Sequence, residues 1–394
     1  PTRAVAVTAA VAAAGLMSGS LDAIAPIITA FFLLTYVAVN AVVLLEQRLG
    51  MISFRPTFQV PATVPLVGLV AASVGLVLAS PRIVLLGGLG AMVLLYWHLG
   101  RRSLKDEGET VRSGIPVAIA SWAARKASSE GRSQRSWRPE ILVAVTDPEQ
   151  ARKAAWLAQA IAGLHGSVRL MAVGGHSIPE PVLALQEDLK AQGTFTTSLN
   201  VSTPKLGESL TTALEAMQAD LFPPNLVLMD IRKATQEGIV SVHEDCTRLR
   251  VGLALYVPRE GAEAGEGIDV WLSDRSPDWT PKLHDANLDL PVLVAWLVSR
   301  SRNTPMRLVT AVRDDPEQAR RFLAQVAGSC RLGEVALEVE QGPFMERLTA
   351  RAQARLHIFG MPLALDREAL IRLADASGGA CLFLMDSGKE SAFA

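Results

Sequence analysis

The first hundred residues are almost uniformly apolar. The rest of the chain alternates short apolar runs with polar, helix-patterned stretches. Up to Gly100 the only acidic or basic residues besides His98 are Arg3, Asp22, Glu46, Arg48, Arg55 and Arg82. No charge falls between Asp22 and Glu46, a run long enough to cross a hydrocarbon core of about 30 Å as a helix. A soluble helix would break such a run with a charged face. The pattern predicts four membrane spans: Ala4 to Ser20, Asp22 to Leu45, Ala62 to Ala79 and Ile83 to Leu99. Ser18-Gly19-Ser20 and Ser80-Pro81-Arg82 are short breaks, so the spans pair as two tight hairpins on either side of the loop from Glu46 to Pro61. Gly68, Ala71, Ala72 and Ser73 in the third span, with Gly87, Gly88 and Gly90 in the fourth, suit close helix packing. Arg48 and Arg55 after the second span, and Arg101, Arg102 and Lys105 after the fourth, place those ends on the cytoplasmic side. Tyr96 and Trp97 stand where an interfacial aromatic anchor would.

Beyond this part lies a connector, 101–136, in which Val117 to Lys126 has amphipathic spacing. Trp137-Arg138-Pro139 then introduces a strand from Ile141 to Val145. Further buried strands are expected at Val168 to Val173, Asn225 to Met229, Gly252 to Val257, Arg307 to Val312, Leu356 to Gly360 and Ala380 to Met385. Helical stretches separate them, as in a parallel, doubly wound α/β sheet. Asp147-Pro148-Glu149-Gln150-Ala151-Arg152 recurs as Asp315-Pro316-Glu317-Gln318-Ala319-Arg320. Each copy follows a strand and opens a helix, with Asp as cap, Pro in the first turn and Gln150 placed to close a capping box in the first copy. The expected repeat relates Ile141–Ala162 to Leu308–Ala327.

Formal net charge is −1 and mean hydropathy is +0.27, high for a purely soluble chain. Neither an acidic nor a basic tail points to nucleic acid. The cysteines, Cys246, Cys330 and Cys381, are odd in number and scattered, which fits reduced thiols and not a disulfide framework. His243-Glu244-Asp245-Cys246 has the residue types of a metal site without paired ligands at metal spacing, and reads as a helix face. Ser377-Gly378-Gly379 precedes a strand and reads as a turn. No phosphate-binding glycine loop, nucleophile elbow or paired metal ligands occur, so no enzyme chemistry and no cofactor is expected. The chain begins at Pro1, and the expectation is that the start of a longer protein is missing.

Four segments, in order, carry a resemblance. Leu21-Asp22-Ala23-Ile24-Ala25-Pro26-Ile27-Ile28 through Asn40 resembles the tenth span of the cation-chloride cotransporters, within the amino acid–polyamine–organocation superfamily. Phe54-Arg55-Pro56-Thr57-Phe58 resembles the loop after that span, and Trp137-Arg138-Pro139 the entry to the family's cytosolic domain. Ile268-Asp269-Val270-Trp271, with Leu290-Pro291, resembles the segment between the two halves of that domain.

The resemblance implies the last four of twelve spans of a LeuT-like transporter (1–100), the connector (101–136), and two universal-stress-protein-like halves (137–266 and 267–394). It implies an electroneutral symporter of Na+ and/or K+ with Cl−, multi-pass in the lipid bilayer of the cell membrane. The C-terminal domain would be cytoplasmic and regulatory, and the protein a homodimer through the last two spans and that domain. Tyr36 falls on the position of a chloride-site tyrosine in the tenth span. A phenol is a neutral donor in an apolar helix, suited to an anion that must also leave, and the competing role is a hydrogen bond between helices. An amino-acid permease of the same superfamily and a membrane-tethered nucleotide sensor are the alternatives.

Overall fold

The computed structural model describes residues 21–49, 60–79 and 137–392, apart from 146, 164, 204, 221, 260–264, 274–278, 280–287 and 352–353, together with two isolated positions. The expected first and fourth spans, the loop from Phe54 to Phe58 and the connector helix lie outside these residues. The chain divides into two units, Pro1–Ser129 and Glu130–Ala394.

The first unit is described by two helices, α1 (Leu21–Leu49) and α2 (Thr63–Ala79), which pack on one another. Gly68 makes the contact possible: a Cβ there would stand 2.6 Å from Asn40 Oδ1. Polar side chains turn back on their own helices. Thr35 Oγ1 donates to Phe31 O at 2.8 Å, Asn40 Nδ2 to Tyr36 O at 2.8 Å and Ser73 Oγ to Leu69 O at 2.7 Å. Among the described residues, no helix is long and apolar enough to cross a membrane. This corrects the four-span reading where it can be checked. The expected third span is a helix of 17 residues, about 26 Å at 1.5 Å per residue, which falls short of the ~30 Å core. The expected second span is longer, and its run contains Pro26, Thr29, Thr35, Tyr36 and Asn40.

The second unit is built on one sheet of ten strands. Its first half runs β1 (Glu140–Val145), α3 (Pro148–Ala162), β2 (Ser167–Val173), α4 (Glu180–Ala191), β3 (Phe195–Val201), α5 (Leu206–Met217), β4 (Leu226–Asp230), α6 (Gln236–Leu249) and β5 (Gly252–Val257). The second half runs β6 (Ile268–Trp271), α7 (Asp289–Arg302), β7 (Met306–Val312), α8 (Pro316–Ser329), β8 (Ala336–Gln341), α9 (Phe344–Ala350), β9 (Leu356–Gly360), α10 (Arg367–Ser377) and β10 (Ala380–Met385). The order across the sheet is β3-β2-β1-β4-β5-β10-β9-β6-β7-β8. Each half therefore carries its strands in the order third, second, first, fourth, fifth, all parallel. The halves join through β5 and β10, which run antiparallel with Cys381 opposite Val257 and Met385 opposite Leu253. The strand order thus has a pseudo-twofold centred between β5 and β10.

The central strands are apolar at successive positions because helices cover both faces. One face packs β1 residues Ile141 and Val143 with α3, α4, α7 and α8. The other packs Leu142 and Ala144 with α5, α6, α9 and α10. Three helix starts are fixed by side-chain caps. Thr235 Oγ1 accepts from Gly238 N, Asp315 Oδ1 from Gln318 N at 3.0 Å, and Asp366 Oδ1 from Glu368 N at 3.0 Å. Gly378, at φ 81°, ends α10 in the left-handed conformation that glycine tolerates.

The expected repeat is out of register. Asp315 does cap α8 and Asp147 does stand before α3, yet β1 is the first strand of its half and β7 the second of the other. The counterpart of β1 is β6. Asp-Pro-Glu-Gln is a good helix start used at two different places in the fold. The antiparallel joint and the strands β3 and β8 are additions that the pattern of apolar runs did not predict.

Candidate functional site

The second half buries a network of charge. Asp269 on β6 and His357 on β9 are fully enclosed. Asp269 Oδ1 accepts from Arg307 Nε on β7 at 2.5 Å, and Oδ2 from Arg351 Nε, just past α9, at 2.8 Å. Arg351 Nη1 also reaches Glu340 Oε1 at 2.8 Å and Glu338, both on the edge strand β8. Trp271 Nε1 donates to His357 Nδ1 at 3.2 Å, so this bond assigns the ring proton of neutral His357 to Nε2. Burial drives the His357 pKa down to about 4; Arg351 and Arg307 add to that effect and Asp269 opposes it. At neutral pH the ring is uncharged.

Strand register lets the two halves be compared position by position. Ile141 pairs with Val168 and Leu226 as Ile268 pairs with Met306 and Leu356. Asp269 then corresponds to Leu142, His357 to Val227, and Glu338 and Glu340 to Leu199 and Val201. Only Arg307 has a like counterpart, Arg169, which pairs with Asp220 at 3.4 Å. The same layer is apolar in the first half and charged in the second. In the first half α5 is seated by buried Leu210, Ala213 and Leu214. In the second, the shorter α9 buries Leu348 alone, and Arg351 at its end is anchored by three carboxylates.

In open α/β sheets ligands bind beyond the carboxyl ends of the strands where the order reverses. The first half has this point between β1 and β4. There Asp230 is buried, which raises its pKa, and its Oδ1 accepts from Arg232 N at 2.8 Å. Lys233 Nζ lies 3.4 Å from Asp147 Oδ2. A buried carboxylate and a turn without glycine give poor reception to phosphate. In the second half the equivalent point, between β6 and β9, is filled by aromatic rings. Trp271 stands 5.2 Å from Phe344, edge to face, and 6.3 Å from Phe359, stacked.

The residues singled out in the sequence are scattered by the fold. Tyr36 lies on α1 with 58% of its surface exposed. In the stretch from His243 to Cys246, Asp245 bonds Thr211 and pairs with Arg248 at 2.9 Å. Among the described residues no group of three His, Cys, Asp or Glu is placed to hold a metal. The three cysteines are free and buried, and burial pushes each thiol up to about 12. His357, Glu338, Glu340 and Arg351 were missed as site residues. The visible signal was a titratable residue inside an apolar strand: His357 within Leu356 to Phe359, and Asp269 within Ile268 to Trp271.

Two consecutive family models match this unit. Residues 143–264 match the first part of the prokaryotic cation-chloride cotransporter C-terminal domain, and residues 264–393 the second part. Residues 143–393 belong to this C-terminal domain family. The crystal structure of the cytoplasmic domain of a prokaryotic cation chloride cotransporter aligns with a TM-score of 0.57 at 22% identity, covering 65% of this chain and 98% of that one. The potassium/chloride cotransporter 3 of Caenorhabditis elegans is 26% identical over 140 residues, 35% of this chain. That match spans only 13% of the relative's own length. A universal stress protein from Archaeoglobus fulgidus aligns more loosely, with a TM-score of 0.40 at 12% identity over 62% of this chain and 96% of that one. The match to the cotransporter domain ends one part and begins the next at residue 264, in the connection between β5 and β6.

Proposed function

We propose that residues 137–394 are the cytosolic regulatory domain of an electroneutral cation-chloride symporter that carries Na+ and/or K+ with Cl−, and that they help to hold two copies of the protein together. The observation that carries this reading is the succession of both family segments along one continuous sheet, meeting where the two halves of the fold meet. The poor phosphate reception at the first switch point supports a regulatory role over nucleotide sensing. The test is chloride uptake into vesicles by the complete transporter and by a version lacking residues 130–394. The reading expects chloride uptake coupled to Na+ or K+ in the complete protein, altered in rate or oligomeric state in the truncated one. Amino-acid uptake indifferent to chloride would overturn it in favour of a permease.

We further assign Tyr36 to the chloride site, on the resemblance of residues 21–40 to the family's tenth span. Tyr36→Phe in the complete protein removes only the donor. Apparent chloride affinity should weaken by about 1–3 kcal/mol, the worth of a hydrogen bond to a charged group, with expression unchanged. Lost expression with unchanged chloride dependence would make the hydroxyl a helix–helix contact instead.

A further inference from the structure

A cleft of about 470 Å³ opens where the last turn of α6 meets the turns that follow β9 and β10. That volume lies within the range of small-molecule sites. One wall belongs to the first half of the domain and the other to the second, so an occupant would touch both. The floor is soft and apolar: Met361, Met385 and the Cys246 thiol are all buried. Leu363, 91% exposed, stands at the rim. The cleft also collects polar groups. Arg250 ends α6 with φ 55°, a left-handed conformation that lifts the chain out of the helix beside the opening. Gly388 stands beside its side chain, a Cβ there falling in ordinary contact with Arg250 Nη2 at 3.6 Å.

The charges in the cleft do not cancel Arg250. Burial lowers the pKa of His243, against the pull of Glu244, so its imidazole is held neutral. Asp386 already accepts from the backbone amides of Leu290 at 3.0 Å and Asp289 at 3.3 Å, at the N-terminus of α7. Its carboxyl is raised to about 7, chiefly by burial, with Glu390 and Asp289 adding to the effect. Arg250 is thus the one lining residue with a permanent positive charge. A singly charged carboxylate suits it better than a phosphate dianion, because Asp386 also lines the cleft.

We propose that this cleft binds a small carboxylate with an apolar body, its charged end on Arg250 and its hydrocarbon or aromatic end on Met361 and Met385. Such a ligand would clasp the two halves of the domain at their joint. The inference stands whether or not the domain regulates transport, because it concerns a site and not a flux.

The test is isothermal titration of the full 394-residue chain with hexanoate and phenylacetate, against hexylamine and phenyl phosphate. At least one carboxylate should bind with sub-millimolar affinity, and more tightly than the amine or the phosphate. Arg250→Asn should weaken binding at least about tenfold, the loss of one charge-assisted contact, while keeping a residue that tolerates the left-handed backbone. Arg250→Lys should retain most of the affinity. Thr247→Trp, at an exposed lining position, should abolish binding by filling the cleft and supplies the test if the Arg250 variant does not fold. No heat from either carboxylate, equal binding of the amine, or undiminished binding in Thr247→Trp would overturn the proposal.

Discussion

Replacing Asp269 by leucine, the residue its counterpart Leu142 provides in the first half, tests the account of the charged layer. Asp269 has no exposed surface and holds two guanidiniums whose side chains are 13% and 26% exposed, Arg351 and Arg307. Removing one partner of a buried pair costs about 3–5 kcal/mol, because the other charge remains without compensation. Here Arg351 keeps Glu338 and Glu340, and Arg307 keeps the Glu266 carbonyl at 3.2 Å. The expected loss is therefore nearer ~2–3 kcal/mol, at or just below the lower limit of that range. For a domain of this size that is a fall in Tm of about 4–12 °C. Adding Arg351→Met converts the central pair to the apolar solution of the first half. Replacing a whole buried pair by apolar groups is near neutral, but Arg307 still lacks its carboxylate, so the double variant should recover part of the loss and lie between the single variant and the parent. Glu338 and Glu340, at 36% and 28% exposure, then turn to solvent cheaply. Urea unfolding of the full chain at pH 7.5, followed by tryptophan fluorescence, measures both. A single variant within 1 kcal/mol of the parent, or a double variant no better than the single, would refute the reasoning.

His357 has a folded pKa of about 4 against an ordinary 6.5, so the unfolded chain takes up its proton first. Its contribution is therefore fully present above pH 6.5 and is lost as pH falls towards 4, by up to about 3 kcal/mol. His357→Asn, which keeps an acceptor for Trp271, should flatten this part of the stability–pH curve. An unchanged slope would mean the ring is solvated. Asp386 works in the opposite sense: its pKa is raised, so ionisation destabilises the fold as pH rises through about 7. Asp386→Asn should then raise Tm at pH 8 more than at pH 4.5, and equal effects would contradict the assignment. Asp315→Ala should cost about 1 kcal/mol through loss of the α8 cap, read in the same urea titration. In the first unit, Gly68→Ala should speed amide exchange in α2, because its Cβ would stand 2.6 Å from Asn40. Gly75→Ala, with ordinary contacts to Leu33 at 3.6 Å and beyond, should not, and equal behaviour would refute the packing account.

The strands that the apolar runs announced, β1, β2, β4, β5, β7, β9 and β10, all have neighbours on both sides and helices on both faces. Burial on both faces is what makes a strand legible as an unbroken run. The edge strands β3 and β8 were missed because each has only one neighbour and a half-exposed, Thr- and Glu-rich sequence. β6 was noticed as a motif and not as a strand, since its four residues include a carboxylate. That carboxylate is the clue to the charged layer. The other members of the layer come from β7, β8, the end of α9 and β9, Arg351 alone standing 82 residues from Asp269, and no local spacing could assemble them. The repeated Asp-Pro-Glu-Gln misled because local chemistry fixes a helix start without fixing its place in the sheet. The pairing of β5 with β10 was invisible for a related reason: an antiparallel contact between two fully buried strands leaves no periodic trace in either.

The order of strands also bears on how the chain is made. β10, the last of these ten strands in chain order, lies at the middle of the sheet and not at a margin. A ribosome that has released everything up to Ser377 has produced two half-sheets with nothing between them, β5 and β9 both presenting bare apolar edges. Such edges invite pairing with other chains. A premature stop at Ser377 would therefore remove the keystone of the domain, and the damage would show as aggregation of the whole unit and not as a frayed margin.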